Sequence, residues 1–107
     1  MTWTYLRTIG RLMQDWPLTV DKFLEHAGKW HAKREIVTRS VEGPIVRTTW
    51  GEIETRARRM TTALKGLGVQ PGDRIATLAW NSGRHIEAWY AIMGMGAVCH
   101  TLNPRLF

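Results

Sequence analysis

Apolar residues change their spacing several times along the chain, and each change predicts an element. Val20, Phe23, Leu24, Ala27 and Trp30 trace one helical face, so a helix is expected near 19–30. Pro17 precedes it, Thr19 offers an N-cap, and Asp21 suits the positive end of the helix dipole. Glu35–Val41 and Ile45–Trp50 are rich in β-formers and are separated by Glu42-Gly43-Pro44. That pattern predicts a hairpin with a turn of about three residues, its wet face carrying Arg39 and Arg47.

The next helix carries the strongest start signal. Thr49 and Glu52 stand in a capping-box relation, each side chain able to satisfy the other's orphan N–H. Ile53, Ala57, Met60, Leu64 and Leu67 then recur at three- and four-residue intervals. Glu52/Arg56 and Glu54/Arg58 are expected as i,i+4 pairs on the solvent side, and Gly66 and Gly68 supply the stop.

After the turn at Pro71-Gly72-Asp73, Arg74–Trp80 is almost continuously apolar, which predicts a strand covered on both faces. Asn81 or Ser82 is placed to cap a helix over about Arg84–Met93, which is apolar around most of its circumference. Gly94 and Gly96 end it. Ala97–Leu102 follows as a second short buried strand, broken by Asn103-Pro104. Strand, helix and strand with short links form a βαβ unit of parallel strands. The expected class is α/β, a partial layered domain with an N-terminal β-hairpin. A parallel sheet needs cover on both faces, so the pattern reads as part of a larger domain. Residues 1–17 are weakly patterned and are expected as an N-terminal extension.

Composition narrows the chemistry more than it identifies it. The chain has 107 residues, 44% of them hydrophobic and 22% charged, values that fit a folded domain and not a disordered one. Its single cysteine, Cys99, excludes an intramolecular disulfide and argues against a cysteine zinc site. No apolar run reaches the ~20 residues of a membrane span and no signal-peptide pattern opens the chain, so a cytoplasmic location is expected. A net charge of +6 raises a nucleic-acid partner as one reading. The densest cluster, Arg56, Arg58 and Arg59, nonetheless falls on the polar face of the capped helix, and no stretch alternates basic and aromatic residues. The expectation is therefore no nucleic acid.

The recognisable motifs are weak one by one. Gly94-Met95-Gly96 begins like a dinucleotide fingerprint, but Cys99 stands where the third glycine belongs and the pair follows a helix. His26, His31, His85 and His100 include no pair at the three- or four-residue spacing of a helical metal site. His26 and His31 are expected at the surface, His85 as a capping or packing residue, and His100 as a structural residue of a buried strand. Cys99, in the same strand, is expected to be inert.

Taken in order, however, the motifs resemble one family. Thr49-Trp50-Gly51-Glu52-Ile53, Ala63-Leu64-Lys65-Gly66-Leu67-Gly68-Val69 and Pro71-Gly72-Asp73-Arg74-Ile75-Ala76 look like the opening of the acyl-adenylate-forming ligases. Gly94-Met95-Gly96-Ala97-Val98 and Leu102-Asn103-Pro104-Arg105-Leu106 resemble that family's next landmarks. Ala79-Trp80-Asn81, Arg84-His85-Ile86-Glu87-Ala88-Trp89-Tyr90 and Cys99-His100-Thr101-Leu102 look more narrowly like the fatty acyl-CoA synthetases that handle medium-chain acids, a branch that also holds ligases for methylthiopropionate.

The resemblance implies a two-step reaction, with a carboxylate attacking ATP with Mg²⁺ assistance to give acyl-adenylate and pyrophosphate, and coenzyme A then displacing AMP. It implies that residues 18–107 are the start of a large N-terminal domain and that the catalytic groups lie outside them. A chain of this extent is expected to be inactive alone, to meet the remainder of the same polypeptide, and to form a homo-oligomer. It implies one site residue, Arg105, as a contact to a coenzyme A phosphate, for which a guanidinium supplies a fixed fork of donors. The competing expectation is a stand-alone, non-catalytic binding or oligomerisation module built on the same segment.

Overall fold

A computed structural model describes residues 16–106. The elements run α1 (Asp21–Trp30), β1 (Glu35–Arg39), β2 (Ile45–Thr49), α2 (Trp50–Gly66), β3 (Arg74–Leu78), α3 (Gly83–Gly94) and β4 (Val98–Leu102). The α/β class, the hairpin and the βαβ unit are all present. β1 and β2 pair antiparallel with Val37 opposite Arg47, and β3 and β4 pair parallel with Ala76 opposite His100.

Several details differ from expectation, each for a local reason. Helix α1 begins without a side-chain cap. Val20 is already helical at that position and carries no hydroxyl, and Thr19 contributes through its carbonyl, which accepts from the Lys22 N–H at 3.2 Å. Of the expected apolar face only Leu24 is buried, with Ala27 half-buried, whereas Phe23 is 70% and Trp30 66% exposed. The hairpin loop spans residues 40–44 and not three. Pro44 has no N–H to extend the ladder, and its carbonyl accepts from the Ser40 hydroxyl at 2.9 Å instead.

Helix α2 shows the full capping box. The Glu52 N–H donates to the Thr49 hydroxyl at 3.3 Å, and the Thr49 N–H donates to the Glu52 carboxylate at 3.0 Å. Leu67, expected on its apolar face, is the C-cap and is 82% exposed. Ser82 caps α3 by accepting from the His85 N–H at 3.3 Å. Gly96 then reverses the chain at φ +83°, a left-handed conformation that a side chain would strain.

The core forms two connected clusters. Leu24, Ile53, Ala57 and Ala91 join α1, α2 and α3, and Ile92, Met95 and Ala97 close the turn from α3 into β4. Leu64 packs against both. Strand β3 does not have two covered faces here. Ile75 and Thr77 are half-buried while Arg74, Ala76 and Leu78 are exposed, because the side chains that pack on it come from one side. Its ladder stops at Leu78, opposite Leu102, since the following Asn103-Pro104 interrupts the partner strand.

Candidate functional site

In an open sheet with parallel strands, ligands bind at the carboxyl ends of the strands. Here the parallel register brings the ends of β3 and β4 side by side, so the segments leaving Leu78 and Leu102 share one edge. Ala79, Trp80, Asn81, Asn103, Pro104 and Arg105 line a cleft there of about 340 Å³. The second segment is tightly turned. The Asn103 side-chain oxygen accepts from the Arg105 N–H at 2.9 Å, and its carbonyl accepts from the Leu106 N–H at 3.3 Å. Arg105 itself is exposed, with its guanidinium carbon 5.3 Å from the centre of the Trp80 ring. No ion pair among the described residues involves it.

Trp80 was not singled out as a site residue from the sequence. The signal that finds it is positional: an aromatic just past one strand end, beside an arginine just past the neighbouring parallel strand end.

A second, larger cleft of about 760 Å³ lies between the hairpin and the N-terminal ends of α2 and α3. Several of its polar groups are tied to neighbours, while Arg59 and Arg84 in its lining form no ion pair among the described residues. The Arg56 Nε donates to the Glu87 carboxylate at 2.6 Å, joining α2 to α3. The i,i+4 expectation is thus met for Glu54/Arg58, at 2.9 Å, but not for Glu52/Arg56. Glu52 instead accepts from the Thr48 hydroxyl at 2.6 Å and the Thr49 N–H, and the Thr48 bond is the main cause holding its carboxyl below the ordinary range. The Gly83 N–H donates to the Thr38 hydroxyl at 3.0 Å, tying β1 to α3.

The remaining candidates separate cleanly. His85 is 5% exposed and packs beside Trp89; its Nε2 shares a hydrogen bond of 2.9 Å with the Thr77 hydroxyl, as expected of a packing residue. His26 and His31 are exposed. His100 is exposed as well, on the uncovered side of the β3–β4 ladder, so it is not the buried structural histidine that the sequence predicts. Burial pushes the half-buried Cys99 thiol up, partly opposed by the Thr77 side chain. Among the described residues no three His, Cys, Asp or Glu side chains come together as a metal cluster. No described helix is long and apolar enough to cross a membrane.

A parallel βαβ unit with polar loops gathered at its strand ends is an arrangement in which α/β proteins present ligand contacts. Residues 23–107 match the AMP-binding enzyme family, and the chain belongs to that family. It is 52% identical over 99 residues to 3-methylmercaptopropionyl-CoA ligase of Ruegeria lacuscaerulensis and 46% identical over 99 residues to a medium-chain-fatty-acid–CoA ligase of Ectopseudomonas oleovorans. Each alignment covers 92% of this chain and 18% of the relative, so the chain spans less than a fifth of their length. Its backbone superposes on a benzoate CoA ligase from Burkholderia xenovorans with a TM-score of 0.69 at 28% identity, over 84% of this chain and 18% of that one.

Proposed function

We propose that this chain serves in an acid–thiol ligase that converts a carboxylic acid, ATP and coenzyme A to acyl-CoA, AMP and pyrophosphate through an acyl-adenylate. The observation that carries this reading is the family match over residues 23–107, together with relatives at 52% and 46% identity that are both CoA ligases. The acid is a medium-chain fatty acid or a short thioether acid such as 3-methylmercaptopropionate, and the setting is the cytoplasm.

The role assigned to these residues is in the thiol half of the reaction. Arg105 offers its fork of N–H donors to a phosphate of coenzyme A. Its exposure, its lack of an ion-pair partner among the described residues and its place at a parallel-strand end support that role. Adenylation uses groups beyond this chain, so the 107-residue chain alone is inactive.

In the ligase, the uncovered side of β3–β4, with Leu78, Val98 and Leu102 exposed, is covered by further polypeptide. Presented alone, the chain covers it by self-association. Light scattering at about 100 μM, where such surfaces associate, checks this; a monomer that binds no apolar dye would contradict it.

The functional test has two arms. Acid-dependent pyrophosphate exchange and thioester formation are measured for the whole ligase with octanoate, 3-methylmercaptopropionate and palmitate, and for the isolated chain. Turnover by the whole ligase with a background signal from the chain supports the reading. Clear exchange by the isolated chain would overturn the assignment of adenylation to other segments.

A further inference from the structure

We infer that Trp80 is the positioning residue for Arg105, holding its guanidinium as a preformed receptor for a phosphate-bearing ligand at the open end of the β3–β4 ladder. The inference rests on the reading of Arg105 as a coenzyme A contact and adds to it a residue from a different loop.

The geometry is specific to the two strand ends. Trp80 leaves β3 two residues after Leu78, and Arg105 leaves β4 three residues after Leu102; the parallel register sets those end residues opposite each other. The 5.3 Å between the guanidinium carbon and the ring centre is within the ~6 Å range of a cation–π contact. The backbone beneath Arg105 is fixed by the Asn103 side chain and by Pro104.

An aromatic face attracts the cation without consuming its N–H groups. A carboxylate in the same place would occupy the fork and cancel the charge. Stacking therefore restricts the long side chain while leaving its donors free for a phosphate, which lowers the ordering cost at binding. At 45% exposure Trp80 is not a core residue, so replacing it leaves the clusters around Ile53 and Ile92 intact.

The experiment compares Trp80→Leu, Trp80→Phe, Arg105→Ala and the Trp80→Leu/Arg105→Ala double variant in the whole ligase. Coenzyme A KM is read in thioester formation, and pyrophosphate exchange without coenzyme A reports adenylation. Trp80→Leu should raise the coenzyme A KM about two- to five-fold, the worth of an exposed cation–π contact, with exchange unchanged. Trp80→Phe should stay close to wild type because a ring face remains. In the Arg105→Ala background Trp80→Leu should add nothing, since its effect passes through the guanidinium. An unchanged KM in Trp80→Leu, a Trp80→Leu effect that persists without Arg105, or an equal fall in exchange would each overturn the inference while leaving the Arg105 reading intact. An Arg105→Ala enzyme with unchanged coenzyme A KM would instead remove that reading and the inference with it.

Discussion

The junction of the hairpin with α2 and α3 differs from the open end of the β3–β4 ladder in where its polar groups point. At the junction Arg56 is held by Glu87, Glu52 by Thr48 and Thr49, and Thr38 by the Gly83 N–H. Two of these bonds, Arg56–Glu87 and Gly83–Thr38, join elements distant in sequence, and the buried Ile53 lies beside Gly83 in the same junction. At the ladder's end the hydrogen bonds of Asn103 shape a single turn, and Arg105 has an aromatic face in place of a carboxylate. The larger cleft thus has more of its polar groups committed to neighbours than the smaller one has. A group already committed to a neighbour stabilises the fold; one held in place with its donors free is available to a ligand.

The contrast is broken most directly at Ile53. Its side chain is fully buried where α1, α2 and α3 meet, so Ile53→Ala should cost about 2–5 kcal/mol and lower the urea midpoint of unfolding accordingly. A loss confined to coenzyme A affinity would mean that the junction is not the structural half of the pair.

At the other region the expected effect moves from stability to function. Arg105→Ala should raise the coenzyme A KM roughly 10- to 150-fold, the worth of a charge-assisted phosphate contact of about 1.5–3 kcal/mol. Exchange in the absence of coenzyme A and the urea midpoint should stay put. Arg105→Lys should recover part of the loss, because a point charge replaces the fork, and rising ionic strength should narrow the gap between wild type and Arg105→Ala. An equal fall in both half-reactions would assign Arg105 to the fold.

The two regions also differ in what the sequence reveals of them. The capping box is a local code, and Thr49-Trp50-Gly51-Glu52 predicts the observed reciprocal bonds. The parallel pairing follows from short links and apolar strands. Long-range choices are less visible. Arg56 has an acid one turn earlier in Glu52, yet it pairs with Glu87, 31 residues away, because α3 packs across α2 and Glu52 is already taken by Thr48 and Thr49. Trp80 reads as the last residue of a buried strand until the register shows that the ladder has ended two residues before it. Phe23 and Trp30 fit a core-facing stripe by spacing, but only the Leu24 position reaches the α2–α3 core within these residues. His100 shares its strand with Cys99 and still lies on the uncovered face, since alternation along a strand sends neighbours to opposite sides.

A smaller effect is expected at the cap itself. Thr49→Ala removes the hydroxyl that accepts from the Glu52 N–H, and loss of such a cap costs about 1 kcal/mol. Thr49→Ser should retain most of the stability, since it keeps the accepting oxygen. A neutral Thr49→Ala in the urea midpoint would show that the Glu52 side of the box suffices.

The finest distinction between the regions is their response to pH. The Glu52 carboxyl is held below its ordinary value of 4.5, first by the Thr48 hydroxyl and then by the Thr49 N–H, with Arg56 adding a weaker pull. A carboxylate whose folded pKa is depressed binds its proton more readily in the unfolded chain, so its contribution is fully present above the unfolded value. That contribution is lost as pH falls from about that range through the lower folded value. Glu52→Gln removes the titration while keeping an oxygen that can accept from Thr48 and Thr49. The variant's stability should therefore fall less steeply than wild type below pH 4.5, with the two curves parallel near neutrality. Arg105, which has no carboxylate partner among the described residues, should leave the acid limb of the stability curve unchanged when replaced by alanine. Identical acid limbs for wild type and Glu52→Gln would show that the bonds around Glu52 do not favour its charged form, and an acid limb altered by Arg105→Ala would show that the open end is tied to a carboxylate after all.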